Sequence, residues 1–269
     1  MRLLLLTTLA TLACAPAPAP TPAPTPMPAP AHKPAPAPQE HAHDALPPGF
    51  HAQEHEIAEE LAQPAADHRP RGHHKYHRFD RAEDWVAQFD ADDRADWQKP
   101  DAVLAALALA PDAIVADLGA GTGYFAVRLA RAVPRGRVYA EDLEPDMVRY
   151  LGERAAREGL GNITAVQGVA DDPKLPGPVD LAIMVDSYHH IVDPTAFFAR
   201  VRDSLRPGGI LVIVDFKKDA PDDAPGPPAA MRVADTIVAA HLGKLGYVYV
   251  RTDRELLPYQ YLVFMRRPT

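Results

Sequence analysis

The sequence predicts an α/β domain built on a doubly wound, mainly parallel sheet. Three observations carry this. The apolar run Ile114-Val115-Ala116-Asp117-Leu118 turns through Gly119, Gly121 and Gly123 into a helix-like segment, Tyr124 to Ala132, which is the strand, tight turn and helix that open such a sheet. Strand-like and helix-like stretches then alternate to the end of the chain. The last two strand-like runs are joined by a loop too short for a helical crossover, so they must pair antiparallel.

The chain opens with material of a different kind. Of its 30 prolines, thirteen fall in the first fifty residues. In residues 1–14, one positive charge, a short apolar run and small residues ending at Cys14 read as a secretory signal, too short to span a bilayer as a helix. Leu12-Ala13-Cys14 is similar to a bacterial lipobox, with Thr11 where such boxes prefer leucine. Residues 15–38 are almost pure Ala-Pro and Thr-Pro, which fixes an extended spacer on the order of 70 Å long. Residues 39–77 hold His41, His43, His51, His55, His68, His73, His74 and His77 and read as a weakly structured segment with adventitious metal affinity. His51-Ala52-Gln53-Glu54-His55 fits a peptidase H-x-x-E-H pattern, but it follows Pro47-Pro48-Gly49 in low-complexity sequence, with no third ligand on a packed scaffold. No metal site is expected in the domain that follows.

Residues 78–269 form that domain, with a helical cover over 78–110 and a core over 111–269. Trp85, Val86, Phe89 and Trp97 among charged residues predict amphipathic helices over 82–90 and 92–108, the tryptophans packing on the sheet. Five strands follow at 115–118, 137–142, 163–167, 179–185 and 210–215, with helices at 124–132, 146–158 and 194–205. Glu144-Pro145 and Asp193-Pro194 each place an acidic cap before a proline at the first helical position. Pro207-Gly208-Gly209 stops the third helix and turns into the fifth strand. A last helix at 230–244 leads to strands at 247–252 and 259–266. The insertion Lys217 to Pro228, rich in Asp and Pro, reads as a mobile lid.

Composition removes some functions. The net charge is −8, from 28 basic and 36 acidic residues, and no long basic cluster marks a nucleic-acid binder. The single cysteine, Cys14, excludes an intrachain disulfide, a CxxC pair and a cysteine-based zinc site.

The glycine turn narrows the ligand. A dinucleotide fingerprint needs a sixth-position glycine, and that position is Tyr124. Asp142, nineteen residues after Gly123, ends the second strand, where a carboxylate accepts both hydroxyls of a ribose.

Taken with Val138 to Pro145, Val179 to Asp186 and Leu205-Arg206-Pro207-Gly208-Gly209, this turn resembles the class I S-adenosylmethionine-dependent methyltransferases over about 100–269. The resemblance implies a Rossmann-like, seven-stranded sheet in the order 3-2-1-4-5-7-6 with strand 7 antiparallel, and S-adenosylmethionine as cofactor. It implies that Gly119, Gly121 and Gly123 admit the methionine part, that Asp117 holds the turn or meets the amino group, and that Asp142 takes the ribose. Asp171, in the loop Gly168-Val169-Ala170-Asp171-Asp172, meets adenine, and Asp186 lies at the sulfonium end. Tyr188, His189 and His190 sit where the acceptor meets the methyl group, the histidines as candidate bases. Tyr188 and Tyr259, within Tyr259-Gln260-Tyr261, are candidate pocket residues.

The expected acceptor is a small molecule, with a protein or quinone-like lipid as alternatives. Asp186 is followed by Ser-Tyr-His, so the Pro-Pro-Tyr motif of nucleic-acid amino methyltransferases is absent. The competing reading is an envelope-tethered protein that keeps the fold without turnover, or a His-rich metal binder. The N-terminus points to export and tethering through lipidated Cys14, in tension with a cofactor made in the cytosol. A cytoplasmic form that does not use the signal is the alternative, and oligomeric state is not legible.

Overall fold

The computed structural model describes Phe79 and residues 81–269. The signal, the Ala-Pro spacer and the His-rich segment lie outside the described residues. One seven-stranded sheet forms, ordered β3-β2-β1-β4-β5-β7-β6. Its strands are β1 (Ile114–Leu118), β2 (Arg137–Asp142), β3 (Ile163–Gln167), β4 (Val179–Val185), β5 (Leu205–Phe216), β6 (Val248–Asp253) and β7 (Gln260–Arg266). Only β7 runs antiparallel to its neighbours.

The period-2 alternation of strand side chains sorts the core into two layers. Val115, Val138, Ala140, Leu181, Ile183, Val212, Val214 and Leu262 pack against α3 (Pro100–Leu107), α4 (Ala126–Ala132) and α5 (Pro145–Arg157). Ala116, Leu118, Ala182, Met184, Leu211, Ile213 and Val263 pack against α6 (Pro194–Ser204) and α7 (Asp235–Lys244). Asp117 shares the parity of Val115 and so points into the first layer, where a carboxylate needs a special reason to be.

Several boundaries differ from expectation. The cover is three helices, α1 (Ala82–Phe89), α2 (Arg94–Gln98) and α3, because Lys99 breaks the chain at φ 44° before Pro100. Helix α4 starts at Ala126, since the positive φ of Gly123 holds the preceding residues in the turn. Asp193 caps α6 through its side chain to the Ala196 N–H at 3.0 Å. Glu144 makes no such bond; its own N–H is taken by Asp142 at 2.9 Å. Pro207-Gly208-Gly209 is a bulge within β5, not a turn before it: Leu205 already pairs with Val179, and Gly208 and Gly209 exchange backbone bonds with Arg267. A 3-10 turn at Ala229–Met231 precedes α7, which begins at Asp235.

The Lys217–Pro228 insertion is pinned, which corrects the reading of it as a mobile lid. The buried Arg232 guanidinium donates to the Ala220, Pro221 and Pro227 carbonyls. Arg254 bridges Asp219 and Asp235, and Gly226, at φ 111°, lies against the Phe216 ring where a side chain would collide.

Candidate functional site

The glycine turn closes over the end of β1 with Gly119, Gly121 and Gly123 at φ 67°, 55° and 92°. A Cβ on Gly119 would stand 2.7 Å from the Ser187 hydroxyl, and one on Gly123 would stand 2.9 Å from Leu151. Phe89 of α1 covers Gly121. Two acids at the end of β2 grip the turn from beside it. Asp142 accepts from the Gly121 N–H at 2.8 Å, and Glu141 accepts from the Gly119 N–H at 3.3 Å. Burial raises the Asp142 pKa against the backbone N–H groups of Glu144, Gly121 and Leu143, which lower it. Three N–H donors leave a lone pair of the Asp142 carboxylate for a hydroxyl.

Beneath the turn lies Asp117, 2% exposed, with its Oδ2 unpartnered. Burial pushes its pKa up to about 7, against the opposing charge of Arg94. The Thr122 and Tyr124 hydroxyls are also buried without partners. Three unmet polar atoms in one turn are a cost unless a ligand meets them. A backbone cradle, an acid at the end of β2 and a buried carboxylate fit a nucleoside that carries a cationic amino-acid end.

The loop after β3 bends through a Val169–Asp172 bridge, and Asp172 spends Oδ1 on the Lys174 N–H at 2.8 Å. Asp171, the acid that the resemblance sets against adenine, is exposed, while its neighbour Asp172 is half-buried.

Asp186 takes φ 55°, and its carboxylate is the hub of a polar cluster. It accepts from Gln98 at 2.8 Å, from Gln260 in a close contact, and from Arg94 at 3.4 Å. The cluster ties α2 and the start of β7 to the end of β4. Burial pushes the Asp186 pKa up to about 6, with Arg94 opposing.

His189 is held by Asp215, which is fully buried on β5: Nδ1 lies 3.0 Å from its carboxylate, and the His189 N–H reaches it at 3.3 Å. Burial lowers the imidazole pKa, but the Asp215 hydrogen bond and the charges of Asp215 and Asp186 outweigh it, so the net shift is upward. His190 is exposed, its ring 4.2 Å from His189 and 6.2 Å from Phe79.

Tyr188 is not placed as a pocket residue. Its ring is 6% exposed in the α6–α7 layer, stacked on Phe198 at 5.4 Å, with its hydroxyl 2.9 Å from His241. In Tyr259-Gln260-Tyr261 it is Gln260 that enters the polar cluster. Tyr261 is buried, with its hydroxyl on the Val233 carbonyl, and Tyr259 is half-buried. Trp85 joins Phe79 and Phe89 at 4.7 and 5.6 Å, and Trp97 lies 5.8 Å from Phe216.

Glu141, Arg94, Gln98 and Asp215 are site residues that the sequence reading passes over. Arg94 and Gln98 carry a faint signal, since their i, i+4 spacing puts both on one face of α2. No cluster of metal-ligating side chains occurs among the described residues, and no helix among them is long and apolar enough to cross a membrane.

Residues 115–209 match the family model described as a methyltransferase domain. The malonyl-[acyl-carrier protein] O-methyltransferase of Hahella chejuensis is 35% identical over 98 residues, covering 36% of this chain and 34% of that protein. The ubiquinone/menaquinone biosynthesis C-methyltransferase UbiE of Pseudomonas putida is 33% identical over 109 residues, covering 39% and 42%. The chain thus spans well under half the length of these relatives. A SAM-dependent methyltransferase from Aquifex aeolicus superposes with TM-score 0.62 at 26% identity, over 68% of this chain and 96% of that one. The [4+2]-cyclase SpnF shares the fold at TM-score 0.54 and 17% identity, over 64% and 80%. The fold is that of the class I methyltransferases, and residues 115–209 carry the match to a methyltransferase domain.

Proposed function

We propose that the chain is a class I S-adenosylmethionine-dependent methyltransferase acting on a small-molecule acceptor. The observation that carries this is the glycine turn gripped by Asp142 over the buried, unpartnered Asp117 carboxylate. Asp142 holds the ribose hydroxyls, Asp117 faces the ammonium group, and the Gly168–Asp172 loop flanks adenine. The cofactor supplies a methyl group on a sulfonium, already activated for in-line displacement. The protein's work is alignment, which in favourable cases supplies roughly 7–11 kcal/mol. Where the acceptor begins protonated, His189, with Nδ1 held by Asp215, offers Nε2 as proton acceptor.

The fold alone does not carry the reaction, since a cyclase shares it. The matched relatives are named for a malonyl group on a carrier protein and for a quinone. The family match ends at residue 209, before the pinned insertion and the β6–β7 hairpin and after the cover helices.

Titration of the full chain with S-adenosylmethionine tests the reading. Binding should be measurable, and Asp142→Ala should weaken it at least about tenfold. No heat and no fluorescence change at millimolar cofactor would sink it.

We further infer that the domain is exported and tethered through lipidated Cys14. The signal-like residues 1–14 and the Ala-Pro spacer support this. Mass spectrometry of the N-terminus from fractionated cells decides it, since an unmodified Met1 rules out lipidation.

A further inference from the structure

Resting on the cofactor reading above, we propose that Arg94 of the cover helix α2 binds the α-carboxylate of S-adenosylmethionine, so that Asp117 and Arg94 together read the amino-acid end of the molecule. An α-amino acid end is a zwitterion. A site that meets only its ammonium leaves a carboxylate to be desolvated without compensation. Asp117 offers one unpartnered oxygen for the ammonium. The complementary cation has to be buried, to be felt by Asp117 and to keep N–H groups unspent.

Arg94 meets these conditions. Its side chain is 13% exposed. Its charge acts on Asp117 and on Asp186. Its guanidinium lies 4.2 Å from the centroid of the Tyr124 ring, whose hydroxyl is buried and unpartnered beside the turn. Of its five N–H groups, Nε is spent on the Gln98 side chain at 2.6 Å and one on the Phe89 carbonyl, while Asp186 is reached only at 3.4 Å. A guanidinium with N–H groups left over, next to an unpartnered phenol, suits a carboxylate.

The other cations near the turn are committed. Arg154 is bound to Asp90, Glu158 and the Thr122 carbonyl. Arg128 stacks on the Tyr124 ring at 3.8 Å and donates to the Tyr124 carbonyl.

One consequence is that the cover helices are part of the cofactor site, although the family match begins only at residue 115. Arg94 also hydrogen-bonds the Phe89 carbonyl, and Phe89 covers Gly121, so carboxylate binding and closure of the aromatic cover over the turn act through one side chain.

The test compares S-adenosylmethionine with its decarboxylated form, which keeps the sulfonium, adenosine and amine. Calorimetry on the full chain should give wild type at least about tenfold preference for the carboxylated ligand. Arg94→Gln should shrink that preference to within about twofold by weakening only the carboxylated ligand. Tyr124→Phe, which keeps the ring and the stacking, should reduce the preference in the same direction and guards against a folding failure of the arginine variant. Equal weakening of both ligands by Arg94→Gln would mean that Arg94 merely holds the cover, and would overturn the assignment. So would a wild-type chain that binds both ligands equally. A wild-type chain that binds neither overturns the cofactor reading itself, and this assignment with it.

Discussion

Glu141 and Gly168 divide one space between them. The Glu141 Oε1 occupies the position a Cβ on Gly168 would need, while Oε2 accepts from the Gly119 N–H at 3.3 Å. A single buried carboxyl thereby ties the glycine turn to the loop after β3. Burial, reinforced by the neighbouring Asp142, raises the Glu141 pKa well above its ordinary value and favours the neutral acid.

Gly168→Ala should therefore weaken cofactor binding and destabilise the fold by about 1–3 kcal/mol, because the added methyl displaces a buried carboxyl. Removing the carboxyl in the same chain, Glu141→Ala with Gly168→Ala, should recover part of the loss. Denaturant unfolding of the two single variants and the double variant gives the coupling. Additive losses would show that the two residues do not share the space.

Asp117 sets a pH dependence whose sign is fixed by burial. Burial pushes its pKa up to about 7 from the ordinary 3.8, so the native state holds a proton that the unfolded chain has lost between these values. Stability should fall as pH rises through that window. Asp117→Asn should remove this slope, and its advantage over wild type should grow from pH 4 to pH 7 by up to about 4 kcal/mol. An ammonium placed against the carboxylate favours the ionised form. Cofactor binding near pH 6 should therefore release a proton, seen as a dependence of the binding heat on buffer ionisation enthalpy. Absence of proton release would show that the ammonium is not held at Asp117.

The His189–Asp215 pair runs the same way, through a base instead of an acid. A histidine raised above its unfolded value adds stability that is complete below about 6.5 and is lost as pH climbs through the folded pKa. Asp215→Asn keeps the shape and removes the charge, leaving Asp186 as the main charge raising the imidazole and His190 stacked beside it. The His189 pKa read by NMR should fall in that variant. If His189 is the proton acceptor, the pH profile of methyl transfer should shift downward with it. A His189 pKa unchanged by Asp215→Asn would remove the basis for calling the two a dyad.

The sheet was legible because buried parallel strands are written as continuous apolar runs, and the Glu144-Pro145 and Asp193-Pro194 starts and the glycines between them are local signals. Asp142 was legible for a similar reason, since its distance from Gly123 follows from one strand–helix–strand unit. Arg94, Gln98 and Gln260 were not. Their shared partner, Asp186, lies 92, 88 and 74 residues away in sequence, and nothing local to a five-residue helix says that its polar face turns inward. Tyr188 misled because its position after β4 is right, but the 3-10 turn at 188–190 aims its ring into the opposite layer and leaves His189 to face Asp215. The bulge at Pro207-Gly208-Gly209 reads as a turn in any single sequence, and only pairing with β4 and with Arg267 shows the strand passing through it.

The pinned insertion gives the last prediction. A stretch with four prolines and three acids from Lys217 to Pro228 looks mobile by composition. Its order depends on Arg232, a guanidinium 2% exposed whose charge is met by backbone carbonyls: Ala220 at 2.6 Å, Pro227 at 2.9 Å and Pro221 at 3.2 Å. Prolines suit this arrangement, because they lack an N–H and their carbonyls are free to accept. Arg232→Met, which keeps much of the volume and drops the donors, leaves three carbonyls needing new partners and should cost about 2–4 kcal/mol. The strap should open before the sheet does, so limited proteolysis should cut between 217 and 228 in the variant at protease levels that leave wild type intact. Asp219→Ala, which breaks only an exposed pair with Arg254, should leave the cleavage pattern unchanged. Equal resistance of Arg232→Met and wild type would mean that Gly226 against Phe216 holds the strap by packing alone.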